Sequence, residues 1–72
     1  MSKIVDARGL SCPQPVLLTL NEIKKINKGE IVILVDTDTS KENVSRAATI
    51  QGWQVKNVES EGIGYRITVS KE

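Results

Sequence analysis

The sequence contains no histidine, and this absence removes several classes of catalytic site. A Ser–His–Asp triad and a Cys–His pair both need an imidazole, so neither mechanism is available within this chain. A zinc site would have to combine the single cysteine with carboxylates, which is an uncommon ligand set. The single cysteine also excludes an intrachain disulfide and a C-x-x-C redox pair. We therefore expect neither a metal ion nor a cofactor.

The chain also lacks a marked excess of charge, a set of aromatic residues and a long apolar run. Ten basic and nine acidic residues leave a formal charge of +1, and the aromatic residues are one Trp and one Tyr. Proteins that read nucleic-acid bases usually combine basic charge with several exposed aromatics. No segment is typical of a membrane span or a signal peptide, and small secreted domains usually carry several disulfides. These absences predict a cytoplasmic protein without base-specific nucleic-acid binding or membrane attachment.

The length of 72 residues allows a single domain, because a second hydrophobic core would have nothing left to bury. Hydrophobic residues make up 39% of the chain, which is enough for one small core. The chain is expected to be either a complete one-domain protein or one domain of a longer two-domain protein.

The spacing of apolar residues predicts four strands and two helices in the order β-α-β-α-β-β. Prolines suit a first helical turn, and glycine suits the position after a helix, so the first helix is placed between Pro13 and Gly29. Thr39 and Glu42 have the spacing of a capping box at the start of the second helix. The third strand alternates imperfectly, which suggests a bulge, and it forms a hairpin with the fourth. The predicted ranges are strands at 3–6, 31–35, 53–59 and 65–70, and helices at 13–28 and 40–51.

This order predicts a two-layer α/β sandwich with a four-stranded mixed sheet and both helices on one face. The five consecutive β-formers at 31–35 are typical of a central strand. We expect the opposite face of the sheet to carry some of Val32, Leu34 and Val58.

The segment with the clearest chemistry runs from Asp6 to Pro15 and contains Cys12 directly before Pro13. The N-terminus of a helix stabilises an anion, so a thiolate at Cys12 is expected to have a lowered pKa and raised reactivity. The two prolines stiffen the turn, and Gly9 allows a tight passage from strand to helix. Arg8 is the nearest cation and is a candidate contact for the sulfur or for a charged partner group.

Each of these residues also has a purely structural interpretation. A lone cysteine in an intracellular domain is usually a small buried hydrophobe. Asp6 either fixes the loop by hydrogen bonding or contacts a partner, and Asp36 and Asp38 have the ordinary explanation of turn formation or helix capping. The basic residues of the helices form either a solvated face or a contact for an acidic partner near the cysteine; they are Lys24, Lys25, Lys28 and Arg46.

The pattern Asp6-x-x-Gly9-x-x-Cys12-Pro13-x-Pro15, followed by an amphipathic helix, Gly29-Glu30 and an apolar strand ending in Asp36, resembles the TusA/SirA/YedF-type sulfur-carrier family. The resemblance covers nearly the whole chain and implies the same β-α-β-α-β-β fold. It implies that Cys12 accepts sulfane sulfur as a persulfide from a cysteine desulfurase and passes it to an acceptor protein. The pathways that it implies are tRNA thiolation and molybdenum-cofactor synthesis.

The stretch from Lys41 to Ala48 is similar to the N-terminal domain of YedF-like proteins linked to selenium metabolism. Ser11 and Gln14 stand where tRNA-pathway members often carry Arg and Glu, which bears on the partners but not on the persulfide chemistry. Two other classes of function stay open. One is a non-catalytic regulatory or interaction module in which the proline turn only caps a helix. The other is a thiol-redox sensor.

Overall fold

The computed structural model describes residues 2–10 and 14–72, apart from the side chains of Ser2 and Glu61. The predicted order of strands and helices is confirmed. The elements are β1 (Ser2–Asp6), α1 (Gln14–Ile26), β2 (Gly29–Val35), α2 (Asp38–Ile50), β3 (Gln54–Glu61) and β4 (Gly64–Lys71).

The four strands form one mixed sheet in the order β1-β2-β4-β3. β1 runs parallel to β2, whereas β4 runs antiparallel to both β2 and β3. The run of β-formers in β2 is therefore central, as predicted. The bulge predicted for the third strand is present as a shift in register between Val55 and Asn57.

Both helices pack on one face of the sheet and against each other. Alternate residues of β2 point into this layer, so Ile31, Ile33 and Val35 are fully buried. Burying a side chain of this size contributes roughly 1.5–3 kcal/mol relative to leaving it exposed. The remaining buried hydrophobic residues of the core are Val5, Ala7, Ile23, Val44, Ala48, Trp53, Ile67 and Val69.

The opposite face of the sheet carries no helix among the described residues. Ile4 and Val32 are paired in the register, and Ile4 is 65% exposed there. Val58 is different, because it lies opposite the core residue Ile67 and so belongs to the helix-covered side. The bulge before Asn57 shifts the alternation of β3 by one residue, so Val58 is not among the residues of the open face, whereas Val32 is.

Two helix boundaries differ from the prediction. Helix α1 ends at Ile26 because Asn27 takes a positive φ of 59°. Helix α2 begins at Asp38, and its N-cap is Thr37, whose side chain accepts a hydrogen bond of 3.0 Å from the Ser40 N–H. Thr39 is already helical and does not have the predicted capping position. Within residues 2–10 and 14–72, neither helix is long and apolar enough to cross a membrane.

Candidate functional site at the start of the first helix

The candidate site lies where the carboxyl ends of β1 and β2 meet the first turns of the helices. Parallel strands bring the loops that follow them to the same edge of a sheet, and α/β proteins often bind ligands at such edges. Cys12 and Pro13, the predicted sulfur-bearing residue and its neighbour, lie outside the described residues, as does Ser11. Leu10 and Gln14 are the nearest described residues on either side of them.

Asp6 and Arg8 form an exposed ion pair at the end of β1. The Arg8 guanidinium donates from Nε to Asp6 Oδ1 at 3.0 Å and from Nη2 to Oδ2 at 2.9 Å, and the Arg8 N–H donates to Oδ1 at 3.1 Å. These hydrogen bonds lower the pKa of Asp6 to about 2. The carboxylate therefore already holds the guanidinium that the sequence suggested as a contact for the sulfur.

The loop after β1 is joined to the end of β2 by two backbone donors. The Ala7 N–H donates to the Leu34 carbonyl at 2.8 Å, which continues the ladder between the strands. The Gly9 N–H donates to Asp36 Oδ2 at 2.7 Å. Gly9 has a φ of 79°, a backbone conformation that favours glycine. The glycine of the predicted motif is thus the residue at which the loop turns towards Asp36.

The first turn of α1 is anchored in the core by Pro15. Its side chain is fully buried, and its carbonyl accepts a hydrogen bond of 2.9 Å from the buried Thr19 hydroxyl. Leu10 and Leu17, by contrast, are 37% and 46% exposed. The segment that contains Cys12 therefore connects to a fixed helix start and is flanked in sequence by two partly exposed apolar side chains.

A second carboxylate on the same edge binds a different partner. The Tyr65 hydroxyl donates a hydrogen bond to Asp38 Oδ1, and this bond is the main cause of the raised pKa of Tyr65. Lys41 Nζ lies 3.8 Å from Asp38 Oδ1 and 4.5 Å from the centroid of the Tyr65 ring. Asp38 therefore connects α2 to β4 and leaves Asp36 as the carboxylate that meets the loop after β1.

The structure does not bring Lys24, Lys28 or Arg46 to the start of α1. Lys24 follows Gln14 by ten residues, which corresponds to about 15 Å along a helix axis. Lys28 lies beyond the end of α1, and Arg46 lies beyond the midpoint of α2, where it is exposed. Their interpretation as a solvated basic face fits these positions.

In residues 2–10 and 14–72, no group of three or more acidic or cysteine side chains is placed to hold a metal ion. The site as described consists of a loop, two strand ends, two helix starts and the hydrogen bonds between them. The sequence suggested a turn or capping role for Asp36, but its contact with the Gly9 N–H was not predicted. Its position directly after β2, beside the loop after the parallel strand β1, was the available signal.

Comparisons with known proteins agree with this architecture. The family model described as "Sulfurtransferase TusA" matches residues 3–71. The chain is 30% identical over 69 residues to a protein of Archaeoglobus fulgidus named "Putative sulfur carrier protein", and the match covers 94% of each chain. A crystal structure of a SirA-like protein from Desulfitobacterium hafniense superposes with a TM-score of 0.86 at 28% identity, covering 97% of this chain and 96% of that one. On the strength of the family match over nearly its whole length, the chain belongs to the TusA family of sulfur carriers.

Proposed function

We propose that the protein carries sulfur as a persulfide on Cys12. The observation that carries this proposal is the family match over residues 3–71, in a chain whose single cysteine is Cys12. A persulfide needs a thiol, so in this chain the sulfur has one residue to occupy. No imidazole, metal or second cysteine is required, which is consistent with a sequence that has no histidine.

The proposed loading step is a thiol–persulfide exchange. The Cys12 thiolate attacks the terminal sulfur of a donor persulfide, a bond forms between that sulfur and Cys12 Sγ, and the donor S–S bond breaks. The donor cysteine leaves as a thiolate, and the proton of the terminal sulfur moves with it to Cys12. Sulfane sulfur is relayed without net oxidation or reduction. In the unloading step, a nucleophile of the acceptor takes the outer sulfur and Cys12 leaves as a thiolate.

The start of α1 supports this chemistry through its charge distribution. A helix N-terminus carries unsatisfied N–H groups and a partial positive charge that favours anions. Cys12 precedes Gln14, the first residue of α1, by two positions. The Cys12 thiolate is the nucleophile in loading and the leaving group in unloading, so a position that stabilises this thiolate favours both steps.

The partners of the proposed relay are proteins. A cysteine desulfurase is the proposed donor, and a protein of tRNA thiolation, molybdenum-cofactor synthesis or selenium metabolism is the proposed acceptor. Leu10 and Leu17 are partly exposed apolar side chains of the kind that contribute to protein contacts. The proposed compartment is the cytoplasm, where thiols are kept reduced.

The test is intact-protein mass spectrometry after incubation with a cysteine desulfurase and free cysteine, with Cys12→Ser as the control. We expect the wild type to gain sulfur that a reductant removes and the variant to gain none. Rapid alkylation of Cys12 without any sulfur gain would favour a thiol-redox sensor. If Cys12 is not alkylated and the protein gains no sulfur, a non-catalytic module is favoured. Either of these two outcomes would contradict the carrier.

A further inference from the structure

We propose that Asp36 is a positioning residue for the loop that leads to Cys12. The inference rests on the proposed function, because the position of that loop matters to a reaction only when Cys12 transfers sulfur. Asp36 does not contact the reacting atoms in this account. It acts through Gly9, which precedes Cys12 by three residues.

The contact between Asp36 and Gly9 joins two parts of the chain that are 27 residues apart. The Gly9 N–H donates to Asp36 Oδ2 at 2.7 Å, which is the short end of the range for such bonds and is typical of a charged acceptor. Hydrogen bonds to charged groups are stronger than those between neutral groups. By comparison, the bond from the Leu10 N–H to the Ala7 carbonyl in the same loop is local and measures 3.4 Å.

The backbone that carries Asp36 is itself held by β4. A Cβ atom added to Gly64 would overlap the Val35 carbonyl oxygen and would lie 3.0 Å from the Asp36 Cα atom. The start of β4 therefore packs directly on the turn after β2. This close approach fixes the origin of the Asp36 side chain, so that its carboxylate presents a defined acceptor to Gly9.

Asp38, the first residue of α2, provides a matched control two positions after Asp36. It has the same side chain and lies on the same edge of the sheet, but its carboxylate accepts from the Tyr65 hydroxyl and lies near Lys41. A general effect of removing negative charge from this edge would appear in variants of both aspartates. An effect through the loop would appear only in variants of Asp36.

The experiment compares Asp36→Ala, Asp36→Asn and Asp38→Ala in the full chain. Amide hydrogen exchange at Gly9 reports the hydrogen bond, and the initial rate of sulfur uptake from a cysteine desulfurase reports transfer. Alkylation of Cys12 by iodoacetamide reports access to the thiol, and urea unfolding confirms that each variant is folded.

For Asp36→Ala we expect Gly9 exchange to accelerate on the order of tenfold or more, since a charged acceptor is lost. Sulfur uptake slows severalfold, whereas alkylation by the small reagent changes far less. Asp36→Asn keeps an acceptor oxygen, so its rates of Gly9 exchange and of sulfur uptake should lie between those of the wild type and Asp36→Ala. If Asp36→Ala does not fold, Asp36→Asn replaces it in the comparison. Asp38→Ala keeps the wild-type exchange at Gly9 and the wild-type rate of uptake.

The inference is overturned if Asp36→Ala leaves Gly9 exchange unchanged, or if exchange rises while sulfur uptake stays at the wild-type rate. Equal slowing of uptake by Asp38→Ala would also overturn it, because the effect would then be one of charge. A wild type that takes up no sulfur would contradict the proposed function and the positioning role together. A wild type that loads normally beside an unaffected Asp36→Ala would contradict the positioning role alone.

Discussion

The Asp6 carboxylate accepts two hydrogen bonds from the Arg8 guanidinium, at 3.0 and 2.9 Å, and a third from the Arg8 backbone N–H. The cation nearest to Cys12 in the sequence is thus paired within its own loop. We therefore expect the partial positive charge at the start of α1, rather than the Arg8 side chain, to stabilise a thiolate.

This pairing makes the titration of Asp6 a direct test of the geometry. In the wild type the pKa of Asp6 is about 2, because the Arg8 hydrogen bonds stabilise the charged form. Arg8→Gln should raise that pKa towards the ordinary value of 3.8. The measurement is an NMR titration of the side-chain carboxyl carbon, with Arg46→Gln as a control that changes nothing. A wild-type midpoint already near the ordinary value would show that the pair does not form in solution.

The same lowered pKa has a consequence for stability at low pH. Because the folded-state pKa lies below the unfolded value, the pair contributes stability above about pH 4, and the contribution is lost as the pH falls towards 2. The effect is small, since both side chains are exposed to solvent. Urea unfolding of the wild type and Asp6→Asn checks this. The difference in unfolding free energy between them should shrink from pH 5 to pH 2, and a constant difference would refute the linkage.

The N-cap of α2 distinguishes two threonines that lie two residues apart. Thr37→Ala should destabilise the protein by about 0.5–2 kcal/mol, because the Ser40 N–H loses its acceptor at the helix start. Thr39→Ala is the matched control and should have a much smaller effect, because Thr39 is exposed within the first turn. Chemical denaturation measures both free energies of unfolding. A larger loss of unfolding free energy for Thr39→Ala than for Thr37→Ala would instead support the capping box at Thr39 that the sequence suggested.

Because β4 packs directly on the turn after β2, we expect Gly64 not to tolerate a larger side chain. Gly64→Ala places a methyl group against the Val35 carbonyl and near the Asp36 Cα atom, so backbone must move. Overpacking of this kind costs about 1–3 kcal/mol. Ile63→Ala at the neighbouring position should cost almost nothing, because Ile63 is 94% exposed. Equal unfolding free energies for the two variants, measured in urea, would contradict the described approach of the strands.

The sequence was a good guide wherever a feature depends on local periodicity. The five consecutive β-formers at 31–35 predicted a central strand, and the imperfect alternation of the third strand predicted a bulge. The sequence was a poorer guide to which face of the sheet a residue after a bulge lies on, and to which residue caps a helix. Val58 changes face because one extra residue enters β3, and Thr37 takes the cap because its backbone is extended while Thr39 has entered the helix.

The arrangement of the candidate site was only partly predictable. The resemblance of the segment from Asp6 to Pro15 to a family motif singled out Cys12, and the family match over residues 3–71 confirms that resemblance. The contact between Gly9 and Asp36 was not predicted, since it joins residues 27 positions apart and depends on the parallel pairing of β1 with β2. Such contacts follow from strand order, which local patterns do not encode.

The measurement that tests the central claim most directly is the intact mass of the wild-type protein after reaction with a cysteine desulfurase and free cysteine. The account predicts a gain equal to the mass of one sulfur atom, reversed by a thiol reductant and absent in Cys12→Ser. An unchanged mass for the wild type, or an equal gain in Cys12→Ser, would contradict the assignment of this chain as a sulfur carrier acting through Cys12.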